Sequence, residues 1–337
     1  VERHVYQNTA TGGRTFCPLE RDARMVMNAT PRYARIVSGK YSRMGADVMR
    51  RDLLESTGRA ISRDYVKKIG DFVGALAQAR EETWEYELPE LDRPVASVAV
   101  GLDGTCMLLR EDGWRQAMCG SISLYDKDGE RLHTIYAGAS PEYGKQTFLE
   151  RFGREVERVR ARHPAALYIG LADGAPDNWK FLTPRTDRQM LDFYHAREYV
   201  GKAAEAIHGH GARRREWEAD WSHRLKHTRG AAGRLLGEMK ASLPSVRAQA
   251  CREELGKAIT YFGNHRSKMQ YWRHTAERLP IGSGVTEAAC KTLIKQRLAC
   301  SGMRWKEAGA SAVIALRSLE MTEGRWNQFW QHVARHG

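Results

Sequence analysis

Three carboxylate residues stand where a divalent metal site could be built. Asp103 follows the apolar run Val98–Leu102, Asp173 follows the run Leu167–Ala172, and a glycine comes directly after each aspartate. In both cases we expect a buried strand that ends in the aspartate and directs its carboxylate out of the sheet edge. Glu287 falls in the first turn of a helix that a Gly-rich turn opens. Mg²⁺ prefers oxygen ligands and usually takes one or two carboxylates per ion. The three residues therefore predict a site for two ions, Mg²⁺ or Mn²⁺.

An Asp-Gly pair is first of all a turn dipeptide. Taken singly, Asp103 or Asp173 is better explained as a turn residue. Both aspartates nevertheless follow apolar runs, and a helix-borne Glu287 comes later in the chain. The joint pattern favours metal ligation over turn formation.

Length and charge narrow the class of protein. The chain has 337 residues, which predicts two or three domains. Its net charge of +13 and pI near 9.6 favour an anionic partner, nucleic acid first and a membrane surface second. No apolar stretch reaches the roughly 18–20 residues that a spanning helix needs, so we expect no membrane partner. The N-terminus is polar and begins at Val1, so we expect no signal peptide and a chain that is trimmed or a fragment.

The six cysteines are scattered, and none forms a C-x-x-C pair. A zinc knuckle or a redox motif is therefore unsupported. Scattered cysteines in a long basic chain indicate a reduced, cytosolic protein. We expect each cysteine to be a small buried apolar residue.

Composition and periodicity divide the chain into six regions. Pro18 and Pro31 act as breakers in the first, and residues 84–94 read as a linker. The regions are an irregular segment at 1–44, a helix-turn-helix-like region at 45–80, a linker at 81–94, the first part of a catalytic domain at 95–195, a helical insertion at 196–280, and final helices with a tail at 281–337.

Two helices are predicted within residues 45–80. The first covers residues 46–56, Gly58 breaks it, and Ser62 is a good N-cap for the second. A helix, a Gly-containing turn and a basic helix outline a helix-turn-helix that contacts DNA, and equally an ordinary helical hairpin. The basic residues of this flank are Arg59, Arg63, Lys67 and Lys68.

The region after residue 95 alternates between strand and helix patterns. Strands are predicted at 95–102, 114–125, 131–139, 166–172 and 189–193, with helices at 144–162 and from about His195. Three strands, a helix, a strand, a helix, a strand and a helix is the order of an RNase H-like α/β fold, a mixed sheet flanked by helices.

Further basic positions are candidate DNA contacts. Lys291 and Lys295 share the helix face of Glu287, where cations would meet phosphates. Trp305 either stacks on an unpaired base or belongs to the core. The basic run in the insertion contacts DNA or is a solvated helix face, the commoner meaning of such charge. The remaining candidates are Arg213, Arg214, Arg215, Arg297 and Arg304. Trp326, Phe329 and Trp330 are assigned to core packing or oligomer contact.

These motifs closely resemble those of bacterial DDE transposases encoded by insertion sequences of the ISKra type. The resemblance covers nearly the whole chain, from Phe16-Cys17-Pro18-Leu19 to the segment 324–330. Its most specific blocks are Gly101-Leu102-Asp103-Gly104-Thr105, Pro141-Glu142-Tyr143-Gly144-Lys145, Gly170-Leu171-Ala172-Asp173-Gly174, Leu191-Asp192-Phe193-Tyr194-His195-Ala196 and the segment 280–291, which leads into Gly302-Met303-Arg304-Trp305.

The resemblance implies an RNase H-like catalytic domain with an acidic triad, two divalent ions and double-stranded DNA as substrate. By position, Asp103, Asp173 and Glu287 match the triad and would be both catalytic residues and metal ligands. The implied enzyme binds element ends and target DNA, and catalyses strand cleavage and strand transfer. We expect a cytoplasmic, nucleoid-associated protein that works as a homodimer or a larger synaptic complex.

Asp192 and His195 form a D-x-x-H element. Related transposases of the Mutator type carry a similar element near the active site. By that resemblance His195 would be a catalytic residue that orients a phosphate or protonates a leaving group, with Asp192 supporting it. The alternative is a structural Asp–His hydrogen bond that caps the helix.

Two other functions stay open. One is a catalytically silent, domesticated transposase that only binds DNA, and the intact triad argues against it. The other is an RNase H-like nuclease or resolvase. The large helical insertion and the N-terminal helices favour a transposase over a compact nuclease.

Overall fold

The computed structural model describes residues 4–7, 10, 12–13, 15–18, 23–81, 83–141 and 144–336. Leu19, Glu142 and Tyr143 of the motifs quoted above lie outside these residues. Among the helices of the described ranges, none combines the length and the apolar character that crossing a membrane requires.

A five-stranded mixed sheet forms the centre of the molecule, with the strand order β3-β2-β1-β4-β5. The first three strands are antiparallel neighbours, while β4 and β5 run parallel to β1. This topology follows from the connections, since tight turns join antiparallel strands and helices join parallel ones. The strands are β1 (Ser97–Leu109), β2 (Gly113–Tyr125), β3 (Arg131–Ala139), β4 (Leu167–Ala172) and β5 (Arg188–Leu191).

Helices cover the sheet and extend beyond it. A π-helical segment, Cys290–Lys295, interrupts one of them, and short 3₁₀ turns lie at Thr183–Arg185, Leu243–Ser245 and Arg266–Lys268. The α-helices are α1 (Pro31–Arg43), α2 (Ala46–Thr57), α3 (Arg63–Arg80), α4 (Gly144–Arg162), α5 (Pro176–Leu182), α6 (Phe193–His208), α7 (Ala212–His227), α8 (Ala231–Ser242), α9 (Gln249–His265), α10 (Tyr271–Ala276), α11 (Gly284–Ala289), α12 (Gln296–Leu298), α13 (Glu307–Met321) and α14 (Arg325–His336). The predicted order of strands and helices, and a mixed sheet flanked by helices, are confirmed.

The prediction that β1 ends at Asp103 is wrong. The strand continues to Leu109, because Asp103 pairs with Cys119 inside a long β1–β2 hairpin. The Asp103-Gly104 pair therefore forms no turn. Asp173 behaves as predicted: β4 ends at Ala172, and Gly174 with φ of 115° turns the chain.

The prediction of an irregular segment at 1–44 is wrong for residues 31–43, which form α1. Pro31, which the sequence pattern predicts to be a breaker, occupies the first turn of this helix, where a missing N–H costs nothing. The hydroxyl of Thr30 accepts a hydrogen bond from the Tyr33 N–H and caps the helix. Proline therefore opens a helix here because a capping residue precedes it.

The three N-terminal helices share a hydrophobic core with α13 and α14. This core also includes the residues of β1 and β2 that lie beyond Asp103. Helices α3 and α13 touch so closely that a Cβ on Gly74 would stand 2.5 Å from the Ala312 Cβ. Two aromatic residues of the predicted linker are packed, since Tyr86 is buried and the ring of Trp84 stacks on that of His332.

The helical region after β5 shares the second core, which also contains the rest of the sheet. Phe193, Trp221, Leu235 and Phe262 belong to the same cluster as Val98 of β1. The helices predicted at 196–280 are present, although α6 already begins at Phe193. This arrangement places α9 beside the end of β4, where Asp173 lies.

Candidate metal and nucleic-acid site

Asp103 lies in the middle of β1 and is partly buried. Its Oδ1 accepts the Gly104 N–H at 2.7 Å, and its Oδ2 accepts the Cys290 thiol at 3.4 Å. Burial raises the pKa of Asp103, and Asp173 adds to that rise. The Gly104 N–H, the Cys290 thiol and His195 act in the opposite direction. A carboxylate that is costly to ionise is one that a cation stabilises strongly.

Asp173 sits beside Asp103 because β1 and β4 are parallel neighbours. Its Oδ1 accepts the Ala175 N–H at 3.1 Å and the Asn178 amide at 3.4 Å. The same Asn178 amide also donates to the Leu102 carbonyl at 3.3 Å, one residue before Asp103. Asn178 is buried and so ties the two aspartate-bearing strands together.

Glu287 is exposed on α11, and this helix packs closely against the sheet. Thr286 is buried, and its Oγ1 lies 2.7 Å from the Ser121 Oγ of β2. Gly101 of β1 provides the space, because a Cβ there would stand 2.0 Å from the Thr286 Oγ1. The motif that carries Glu287 is thereby packed directly over the strand that carries Asp103.

Within the described chain, one group of three residues offers metal-ligating atoms that all lie within 4.8 Å of one another: Asp192, His195 and Glu287. In the same described part of the chain, the ligating atoms of Asp103, Asp173 and Glu287 do not all lie within 4.8 Å of one another. Two ions about 3.5–4 Å apart allow their ligands to spread more widely than one ion does. Oxygen donors at Asp103, Asp173 and Glu287, of which Glu287 is exposed, fit Mg²⁺ or Mn²⁺.

Asp192 is fully buried and caps α6. Its Oδ1 accepts the His195 backbone N–H at 2.6 Å, and its Oδ2 accepts the Ser283 backbone N–H. The capping interpretation is therefore correct for Asp192, although the bond goes to the backbone of His195 and not to its ring. A ring nitrogen of His195 nevertheless lies within 4.8 Å of a carboxylate oxygen of Asp192 and of one of Glu287.

The helix after Glu287 differs from the prediction in its geometry. Residues 290–295 form a π-helix, in which hydrogen bonds span five residues instead of four. The prediction that Glu287, Lys291 and Lys295 share one helix face depends on 3.6 residues per turn. The π-helix changes this spacing, so the prediction does not apply across residues 290–295. Both lysines are nevertheless exposed.

Arg297 is not placed to contact DNA, and this prediction is wrong. Only 3% of the residue is exposed, and its Nε donates to the Tyr41 carbonyl at 3.1 Å. Its guanidinium lies over the rings of Tyr41 and Trp305. A buried guanidinium that is satisfied in this way packs two helical layers together.

Trp305 is partly buried and packs against the core of the N-terminal helices, which favours its assignment to the core over base stacking. The indole Nε1 donates to the Leu298 carbonyl at 3.0 Å, and the backbone bridges to the end of β1 at Leu109. Phe329 and Trp330 are likewise buried, as predicted for core residues.

Several of the predicted DNA-binding residues come together in one groove of about 940 Å³. Arg63 and Lys67 of α3 line this groove together with Arg304. Arg110 and Lys306, which the sequence did not single out, join them there. Arg63 lies near Asp47 and Lys67 near Asp71. Within the described residues, no carboxylate lies within ion-pair distance of the other three cations.

The other basic candidates lie elsewhere. Lys68 is exposed, and the Arg59 guanidinium lies 5.5 Å from the centre of the Tyr33 ring. In α7, Arg213 and Arg215 are exposed, while Arg214 forms ion pairs with Glu205 and Glu218. These pairs favour the solvated helix face for Arg214.

Sequence reasoning missed several residues around the aspartates. The Tyr261 hydroxyl of α9 donates to the Asp173 carbonyl at 2.9 Å. His265, also on α9, lies beside Gly174, and burial lowers its pKa, with Lys268 adding to the effect and Asp173 opposing it. No local pattern marks either residue, because about 90 residues separate them from Asp173. Ser283 and Glu287 are separated by four residues, and this i,i+4 spacing is a signal that could have found their contact. No spacing indicates the contact between Cys290 and Asp103.

The cysteines are free, and four of the six are wholly or partly buried. Cys106 and Cys300 are exposed, so the expectation of a buried apolar cysteine is wrong for these two. No family model matches the chain, and no curated protein is significantly similar to it.

Proposed function

We propose that the protein is a DNA transposase of the DDE type, with Asp103, Asp173 and Glu287 as its catalytic carboxylates. The observation that carries the proposal is their placement. Asp103 stands on β1, Asp173 directly follows the parallel neighbour β4, and the Glu287 helix packs over β1 against Gly101. We also propose that the domain has an RNase H-like fold, because the strand order β3-β2-β1-β4-β5 is compatible with that fold.

The residues present fit a pair of Mg²⁺ or Mn²⁺ ions. Asp103 would be shared, with Asp173 and Glu287 each holding one ion. When bound, such ions activate the attacking hydroxyl and stabilise the leaving oxygen of a phosphodiester. The side chains do the rest: Asn178 fixes the Asp173 carboxylate, and the buried Asp192 fixes the start of α6 so that the His195 ring is held near Glu287.

We propose double-stranded DNA as the partner, comprising element ends and target. The net charge of +13 supports it, because cations that neutralise phosphates release bound counterions. Lys291 and Lys295 lie on the helical segment that follows Glu287 in the chain. This segment precedes Arg304, which lines the groove together with Arg63 and Lys67. Joining two ends calls for a homodimer or larger complex, and the proposed location is the bacterial cytoplasm, at the nucleoid.

The test is a strand-transfer assay. Purified protein is mixed with labelled duplexes taken from the DNA that flanks its gene, a target plasmid, and Mg²⁺ or Mn²⁺. We expect metal-dependent joined products that disappear in Glu287→Gln. Glu216→Gln, an exposed carboxylate on α7, is the matched control and should be active. Cutting without joining would assign a nuclease. DNA binding without any cutting would assign a silent DNA-binding protein.

A further inference from the structure

Ser283 stands between two carboxylates just before α11. Its Oγ lies 2.8 Å from the Asp192 Oδ2 and 2.8 Å from the Glu287 Oε1. The residue is 7% exposed, whereas Glu287 is exposed. The serine side chain makes no capping hydrogen bond to α11, so the helix does not depend on this hydroxyl.

A serine hydroxyl has a single proton to donate. The Asp192 carboxylate already accepts two backbone N–H groups, from His195 and from Ser283 itself. Within the described residues, Glu287 has the Ser283 hydroxyl as its hydrogen-bond donor. Donation to Glu287 therefore satisfies more acceptors than donation to Asp192 does. Rotation about one bond would redirect the same proton to Asp192.

We propose that Ser283 is a positioning residue for Glu287. Its hydroxyl holds the exposed Glu287 side chain in one orientation before a divalent ion binds, and turns to Asp192 once the ion takes the Glu287 oxygen. The inference rests on the proposed function, because it assumes that Glu287 is a metal ligand. It adds a residue whose effect is exerted through Glu287 and not by contact with substrate.

The physical benefit is a smaller ordering cost. A free glutamate samples many rotamers, and an ion that binds it must restrict them. A buried serine, itself anchored by its N–H on the fully buried Asp192, restricts them in advance. Loss of a hydrogen-bonding partner of a metal ligand typically lowers metal affinity or activity by about 10–100-fold.

The experiment measures Mn²⁺ binding to the full chain by electron paramagnetic resonance, without DNA or turnover. We expect Ser283→Ala and Ser283→Gly to weaken Mn²⁺ binding by about 10-fold or more. Ser283→Thr, which keeps the hydroxyl, should restore it. Ser311→Ala is the matched control, since Ser311 is buried in α13 and donates to Ser140. A merely structural role would lower the metal-free melting temperature, which we expect to stay unchanged in the glycine variant.

The two hypotheses fail differently. If the wild-type chain binds no Mn²⁺, the metal site of the proposed function is refuted. If the wild type binds and both hydroxyl-free variants bind as tightly, the site stands and the role of Ser283 is refuted. Weak binding that the threonine variant does not restore, in a protein with an unchanged melting temperature, also refutes it.

Discussion

Gly101 of β1 and Thr286 of α11 approach each other so closely that a Cβ on the glycine would stand 2.0 Å from the threonine Oγ1. No real side-chain contact is that short. The Thr286 Oγ1 also lies 2.7 Å from the Oγ of Ser121, the residue of β2 that pairs with Gly101. The glycine is therefore the reason that Glu287, the next residue along α11, can lie over the sheet.

We predict that Gly101→Ala displaces α11 and lowers both stability and metal affinity. Overpacking of this kind costs about 1–3 kcal/mol of unfolding free energy. Urea unfolding and Mn²⁺ binding measure the two effects. Gly256→Ala is the control, because an added Cβ there meets no atom within 4 Å and α9 is an ordinary helix. The double variant Gly101→Ala with Thr286→Ala should recover part of the stability. A single variant as stable as wild type would contradict the close contact.

We predict that Asn178→Ala weakens metal binding without abolishing it. The variant leaves the Leu102 carbonyl and one oxygen of Asp173 without the amide that joins them. An unsatisfied buried acceptor costs about 1–3 kcal/mol of stability. Calorimetric titration with Mn²⁺ and thermal melting measure both losses. Asn327→Ala is the control, because Asn327 is an exposed residue of α14, and equal metal affinity in both variants would argue against the bridge.

We predict opposite behaviour for two basic residues that lie two positions apart. Arg297→Ala should lower the unfolding free energy by about 1–3 kcal/mol, because the Tyr41 carbonyl loses its donor. Lys295→Ala should leave stability unchanged and weaken DNA binding, since Lys295 is exposed. Urea unfolding and fluorescence anisotropy on a labelled duplex distinguish the two. A stable Arg297→Ala variant with a DNA-binding defect would return Arg297 to the DNA-binding residues.

We predict that the groove cations bind phosphates. Arg304→Ala and Lys306→Ala should each make the plot of log binding constant against log salt concentration less steep, with the magnitude of its slope reduced by about one. The exposed Lys240 of α8 lies away from this groove, and Lys240→Ala should leave the slope unchanged. Anisotropy titrations between low and physiological salt give the slopes. Slopes equal to wild type for both groove variants would place the duplex elsewhere.

We predict that Asp103→Asn stabilises the metal-free protein at neutral pH while abolishing cleavage. Burial raises the pKa of Asp103 above the usual 3.8, so its ionisation opposes folding. The stability that the neutral Asp103 carboxyl contributes is fully present below pH 3.8. It is lost as the pH rises through the raised pKa of Asp103. The melting temperature of the variant should therefore match wild type in acid and exceed it towards neutral pH.

The control for this pH dependence is Asp177→Asn. Asp177 is exposed, and its hydrogen bond to Lys145 lowers its pKa, so the variant should gain no stability at neutral pH. Melting in the presence of a chelator, from acid to neutral pH, measures both variants. An equal gain for the two would point to net charge, and not to the burial of Asp103.

The sequence alone determined many of the helices and strands. The helix at Gly144–Arg162 and the strand at Arg131–Ala139 agree with the structure at both ends, because hydrophobic period and turn residues are local signals. It also predicted the turn after Asp173 and the helix that carries Glu287 in its first turn. It failed at Asp103-Gly104 and at Pro31, where a local breaker signal was overruled by strand pairing in one case and by a capping threonine in the other.

Only the tertiary structure decided which side chains meet. Arg297 and Lys295 have the same charge and nearly the same position in the sequence, yet Tyr41, more than 250 residues away, buries one of them. Likewise Ser283 reaches Asp192, Cys290 reaches Asp103, and Tyr261 reaches Asp173 across long stretches of chain. Burial and hydrogen bonding between such distant residues depend on how the sheet and the helices pack, and no periodicity within one segment records that.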